Sequence, residues 1–186
     1  MQIRPIQPAD LEDLREIDGT IESSQYLHLD QAGEGLDQSW KLEMRPLREK
    51  LIASNPMDDD VTFTLKQVVT GADEGFTLLA EHEGRPLALL LAQPVYAMKV
   101  MRILDVRVDY DFRRQGLGLA MMYQAIAQAR EAELRAVMAE TLTNNHPANQ
   151  FMLKCSFELA GIDSKRRSNH DLVKEAATMI WYAALD

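Results

Sequence analysis

The sequence predicts one mixed α/β domain, spanning residues 1–186, with a central sheet of about six to seven strands flanked by helices. Three observations carry this expectation. Segments with apolar residues at alternate positions recur along the chain, a helical apolar spacing runs from Gly116 to Leu134, and turn residues punctuate the stretches between them. With 46% hydrophobic and 26% charged side chains, the 186 residues have a soluble globular composition and enough length to bury a core.

The elements follow in order. "MQIRPI" alternates as a short strand, and "QPADLEDLREIDGTI" spaces Leu11, Leu14 and Ile17 along one helix face with Asp10 as its N-cap. From Glu22 to Gly75 the periodicity weakens. "WKLEMRPLREKLIAS" has a helical composition broken by Pro46, and "NPMDDD" is a turn with three adjacent acids. A substrate-facing helix pair and a surface insertion both fit this region. "FTLLAEHEGRPLALLLAQPV" then predicts a hairpin about a Glu-Gly-Arg-Pro turn. "VMRILDVRVDYD" predicts a strand with Ile103, Asp105, Arg107 and Asp109 on one face and Leu104, Val106 and Val108 on the other. The helix after Gly116 places Leu117, Ala120, Met121 and Ala125 together. "AVMAETL" is a buried-type strand, "PANQFMLKCSF" a short helix, and "ELAGID" and "AATMIWYAAL" are two further strands.

Composition narrows the function classes. Cys155 is the single cysteine, so no internal disulfide forms, and with no basic-then-apolar leader after Met1 a cytoplasmic location is expected. Apolar runs such as "PLALLLAQPV" are too short to span a bilayer, so no membrane partner is expected. A net charge of −9 argues against nucleic acid, which needs a basic stripe. His28, His82, His146 and His170 lack metal-like spacing, so no metal is expected.

Positive charge and backbone freedom are concentrated in "DFRRQGLG", between a strand and a helix. The first-turn N–H groups of a helix lack intrahelical partners and sit at the positive end of its dipole. Glycines let a backbone approach an anion closely, so Arg113, Arg114, Gln115, Gly116, Leu117, Gly118 and Leu119 form a candidate phosphate-binding turn. No Gly-Lys-Ser/Thr follows, and Met121 stands where a dinucleotide fingerprint has its third glycine. A plain capped helix with two solvated arginines is the alternative.

"VRVDYDFRRQGLGLAMM" resembles the acetyl-coenzyme A signature of the GNAT N-acetyltransferase superfamily, with Arg113, Gly116 and Gly118 filling it. "ETLTNNHPANQFMLKCSF" is similar to the family's second block through Asn145, Ala148, Phe151, Lys154 and Phe157. The last quarter looks like streptothricin acetyltransferases, on Gly161, Asp163, Ser168, Asn169, Glu175, Ala176, Trp181 and Tyr182. The resemblance implies the GNAT fold and acetyl-coenzyme A as cosubstrate. It implies backbone contacts to the coenzyme from Val106, Arg107, Val108 and the turn, with Asn145, Ala148 and Phe151 lining its arm. It implies transfer to a primary amine, with streptothricin or another small polycationic amine as acceptor. A protein N-terminus or lysine, and a weakly catalytic coenzyme-binding module, are the alternatives. A homodimer, as in many relatives, is left open.

Amine attack on a thioester needs a base, because an amine of pKa ~10.4 is mostly charged at neutral pH. Asp105 and Glu140, at the central strands, are the candidates, acting through water. A structural carboxylate paired with Arg107 or Arg102 is the competing role for Asp105. Met152 stands where many family members have a proton-donating tyrosine, with Tyr123 and Tyr182 as substitute hydroxyls, and Ser156 replaces a family glycine.

Overall fold

The computed structural model describes residues 1–185; Asp186, the last residue of the expected domain, lies outside the described residues. Strand β1 (Gln2–Arg4) leads through two 3-10 turns (Pro8–Asp10, Asp13–Glu16) into β2 (Ile21–Glu34), β3 (Asp37–Ala53) and helix α1 (Asp59–Val69). Strands β4 (Phe76–His82), β5 (Arg85–Val95) and β6 (Val100–Val108) follow, then a 3-10 turn (Tyr110–Phe112) and α2 (Leu117–Glu131). The chain ends with β7 (Ala136–Leu142), α3 (His146–Lys154), β8 (Glu158–Asp163) and β9 (Thr178–Ala184). Seven strands form a mixed sheet in the order β1-β4-β5-β6-β7-β9-β8, and β2 and β3 form a two-stranded ribbon. The mixed α/β class is therefore as the sequence predicts, and the β4–β5 hairpin, β7 and β8 fall where periodicity places them. Among the described residues no helix is long and apolar enough to cross a membrane.

The chain divides into two compact units. The first holds Met1–Thr20, Ser54–Ala139 and the segment from Tyr182 on. Its core on one sheet face joins Leu79, Leu89 and Leu91 to Leu14, Ile17 and Leu65 of the turns and α1. Each fully buried leucine contributes roughly 1.5–3 kcal/mol. Side chains alternate across a strand, so Leu78, Ala88 and Leu90 belong to the opposite face. Helix α2 packs on β4, β5 and β6 with Leu117, Met121, Met122, Ala125, Ile126 and Ala129 buried. Ala120, expected on that stripe, is exposed.

Two expectations for this unit are corrected. The helix predicted over "QPADLEDLREIDGTI" is a pair of 3-10 turns that still buries Leu14 and Ile17. Asp10 does not cap a helix. It closes the first turn by accepting from Gln7 N at 2.7 Å, and Arg4 grips both its oxygens at 2.7 and 2.9 Å. These contacts pull its carboxyl below the usual range, Arg4 most strongly. The second correction lies in β6. Its register to β5 passes from Leu91↔Asp105 to Ala92↔Ile103, so Leu104 is an extra residue in a β-bulge. Leu104 packs on the Leu89–Leu91 cluster, the face that Asp105 and Arg107 share through their register partners, rather than with Val106 and Val108.

The three acids of "NPMDDD" start a helix missed in the sequence. Asp58 accepts from Val61 N at 2.7 Å as the N-cap of α1, and Asp59 and Asp60 lie in the first turn, where the helix dipole favours negative charge.

The second unit holds Ile21–Ala53 and Glu140–Trp181. Here the helical reading of "WKLEMRPLREKLIAS" is overturned, since the stretch is most of β3 paired antiparallel to β2. Trp40, Leu42 and Met44 alternate with Lys41, Glu43 and Arg45, a period of two that outweighs the helix-favouring composition. Helix α3 packs on β2. Its Asn149 joins a polar chain in which Trp181 donates to Thr141 (2.7 Å), Thr141 to Asn149 Oδ1 (2.6 Å), and Asn149 to the Leu142 carbonyl (3.1 Å).

The family glycine replaced by Ser156 has a physical reason in this unit. Ser156 follows the C-cap of α3 with φ +64°, in the left-handed region. Ser156 N donates to the Leu153 carbonyl and Phe157 N to that of Met152, both at 3.0 Å, completing a Schellman motif. Ser156→Gly is expected to stabilise the fold by roughly 0.5–1 kcal/mol, since relief of the left-handed strain (~1–2 kcal/mol) exceeds the cost of glycine's extra chain entropy (~0.5–1 kcal/mol). A denaturant midpoint at or below wild type would contradict this.

Candidate active site

The turn after β6 is built by a half-buried arginine. Arg113 Nε donates to the Val108 carbonyl (3.0 Å), Nη1 to that of Thr20 (2.6 Å) and Nη2 to that of Asp18 (3.4 Å), and its guanidinium lies 5.1 Å from the Tyr110 ring centroid. Burial is the main influence on this guanidinium and draws its pKa down. Its charge is therefore committed to carbonyls that shape the turn. Asp109 supports the same corner, accepting from Asp111 N (3.2 Å) and Asp18 N (3.3 Å) and from Arg85 (3.3 Å).

Arg114 and Gln115 are exposed, with Arg114 at φ +62°. Gly116 is the N-cap of α2 at φ +87°, a conformation that costs other residues roughly 1–2 kcal/mol, and Ala120 N donates to its carbonyl at 2.9 Å. A Cβ on Gly116 would meet nothing within 4 Å, and no acid lies in the first turn of α2. Leu117, Gly118 and Leu119 occupy that first turn, whose N–H groups lack intrahelical partners. A pyrophosphate needs converging N–H donors, an open approach and no nearby carboxylate on the helix, and the turn fits such a group.

Upstream on β6, Val106, Arg107 and Val108 pair with Leu90, Leu89 and Ala88 of β5, while pairing with β7 covers Val100–Arg102. Asp105 is 11% exposed and ion-paired with Arg107, whose Nη2 lies 2.6 Å and Nε 2.9 Å from Oδ2. Burial raises the Asp105 pKa, and Arg107 opposes that rise. Arg107 also lines a cavity of ≈ 350 Å³ together with Leu11, Ile17, Met57, Asp59 and Lys66. The ion pair of Asp105 with Arg107 is the contact expected of the competing structural role, two residues apart on one strand face, whereas the cavity partners, distant in the chain, have no local signal in the sequence.

The remaining candidates lie in the second unit. Glu140 on β7 accepts from Arg166 at 2.7 Å. Asn145 caps α3, its side chain accepting from Ala148 N at 3.2 Å. Ala148 and Phe151 are half-buried on α3, and Met152 is buried. Cys155 is buried, which pushes its thiol up to about 11, the inert behaviour expected of a small core residue. The two substitute hydroxyls belong to the first unit instead: Tyr123 is half-exposed on α2, and Tyr182 lies under Arg135 at 5.8 Å.

The model of the acetyltransferase (GNAT) family matches residues 39–157. Streptothricin acetyltransferase A of Bacillus subtilis (strain 168) is 34% identical over 78 residues, 42% of this chain and 44% of that protein. The chain thus matches less than half the length of that curated relative. The crystal structure of nourseothricin acetyltransferase is similar with a TM-score of 0.79, covering 100% of this chain and 98% of that one at 20% identity. A Bacillus anthracis str. Ames protein solved in complex with acetyl coenzyme A gives 0.77, covering 98% of each chain at 20% identity. At such identities the structural likeness establishes the fold.

Proposed function

Because the chain belongs to the acetyltransferase (GNAT) family, we propose that it transfers an acetyl group from acetyl-coenzyme A to a primary amine of streptothricin or another small polycationic amine. The observation that carries the reading is the continuity of β6 with the anion-fitting turn: one strand bears Asp105 and leads directly to the open backbone at Gly116. The streptothricin acetyltransferase relative supports the choice of acceptor.

Bound acetyl-coenzyme A supplies the thioester carbonyl that the amine attacks. The chain's own groups do the rest. The turn from Arg114 to Leu119 holds phosphate through main-chain N–H groups, with Arg113 fixing its shape. The amides of Val106, Arg107 and Val108 serve the coenzyme arm and the developing oxyanion. Asp105 accepts a proton from the acceptor ammonium through water, with Glu140 as the second carboxylate. A thiol of pKa near ~8.5 leaves tolerably as thiolate, so Met152 in place of a hydroxyl slows rather than prevents the step.

Incubation with acetyl-coenzyme A and streptothricin tests this. Thiol release and an antibiotic heavier by one acetyl group are expected. Coenzyme binding without acetylation of streptothricin would remove that acceptor. Because Met152 carries no transferable proton, the same result with every amine tried would favour the second reading, a coenzyme-binding module with little turnover.

A further inference from the structure

Arg107 has a backbone role in the coenzyme reading, but its side chain has another task. It is 9% exposed and lies on the sheet face shared with Leu89, its register partner. Nε and Nη2 both donate to Asp105 Oδ2, at 2.9 and 2.6 Å, and Nη1 donates to the Asn55 carbonyl at 2.7 Å. One planar group thus joins β6 to the segment leading into α1. The arrangement depends on Gly19, where a Cβ would stand 2.8 Å from the Asn55 oxygen and 3.1 Å from Arg107 Nη1. On its other side the Arg107 side chain forms part of the wall of the ≈ 350 Å³ cavity.

We propose that Arg107 is a positioning residue for acetyl transfer, locking the Asp105 carboxylate in one orientation, as an anion, beside the cavity whose wall its own side chain forms. The proposal rests on the reading of Asp105 as the base. Both arginine contacts fall on Oδ2, which assigns proton transfer to Oδ1. A carboxylate this buried takes up a proton unless an opposite charge holds it. Burial and the Asp58 carboxylate at the start of α1 both push Asp105 towards the neutral form, and Arg107 is the group that opposes them. Around the cavity, Asp59 is a further acid, and Arg15 and Lys66 are cations of its lining. The fork matters as well as the charge. A lysine is a point charge and cannot span Asp105 and Asn55 in the same plane.

The test compares Arg107→Gln and Arg107→Lys by the pH dependence of kcat/KM for the acceptor and by carbon-13 NMR titration of the Asp105 carboxyl, assigned with Asp105→Asn. In Arg107→Gln the acid limb and the NMR midpoint both move up by about 1–3 pH units. In Arg107→Lys both stay near wild type while kcat falls about 10- to 100-fold through misplacement. An unmoved NMR midpoint in Arg107→Gln overturns the proposal. A moved midpoint with an unmoved rate limb shows that Asp105 is not the base, and the reading beneath the proposal fails with it. Should Arg107→Gln not fold, an Arg107→Lys enzyme with wild-type kcat is enough to overturn it.

Discussion

Replacing Asp105 by asparagine lowers kcat about 10²- to 10⁴-fold and leaves the KM for acetyl-coenzyme A in place, the range expected for losing a positioned general base. The split follows from where the residue sits. Asp105 lies on β6 at the bulge, before the strand reaches the turn that receives phosphate, so the change removes a proton acceptor and leaves the turn's amides intact. Asparagine keeps the shape and still accepts from Arg107, although the guanidinium loses its counter-charge. Some stability is lost with it, so thermal unfolding must accompany the kinetics. A folded Asp105→Asn enzyme with wild-type kcat would return Asp105 to a structural role and make Glu140 the carboxylate to test.

Arg113→Met acts on the other substrate. Removing the guanidinium abandons the carbonyls of Val108, Thr20 and Asp18, which fix the entry to the turn. A hydrogen bond to a charged group contributes about 1.5–3 kcal/mol, so a loss of roughly 3 kcal/mol is expected after partial replacement by water. The turn then relaxes, and the KM for acetyl-coenzyme A rises at least about tenfold, equivalent to ~1.4 kcal/mol of lost binding. Steady-state kinetics with a urea midpoint separates the two effects. Loss of stability with an unchanged KM would mean that the turn keeps its shape without Arg113.

These two arginines show where sequence reasoning reaches its limit. The turn itself was legible because its signal is local: strand period, two glycines one residue apart, then helical period. The pairing of Arg107 with Asp105 is local and was legible, but the other partners of Arg113 and Arg107, at Asp18, Thr20 and Asn55, lie far back in the chain, and no spacing rule links them. Hence Arg113 looked like a free cation for phosphate and proved to be the strut of its turn. The β4–β5 hairpin and α2 were legible for the same local reason. Helix α1 was not, because "VTFTLKQVV" is rich in β-branched residues that disfavour helices, and the Asp58 cap with burial of Leu65 overrides that preference. The bulge at Leu104 was invisible because one extra residue reverses faces without altering composition.

The ribbon of β2 and β3 carries a different consequence. On the outer side of β2, Leu27 N already donates to the Thr143 carbonyl at 2.9 Å, so β3 is the edge that offers a row of backbone groups to a strand from another molecule. Along β3 the charges Lys41, Glu43, Arg45, Arg48, Glu49 and Lys50 are interspersed with Trp40, Leu42, Met44 and Leu47, and Pro46 interrupts the row of donors opposite Gln25. Charges repel open-ended stacking, and a proline offers no N–H to an incoming strand. The residue that looked like a helix breaker thus serves as an edge guard, and the ribbon keeps its exposed Leu36 and Trp40 without becoming a template for fibrils.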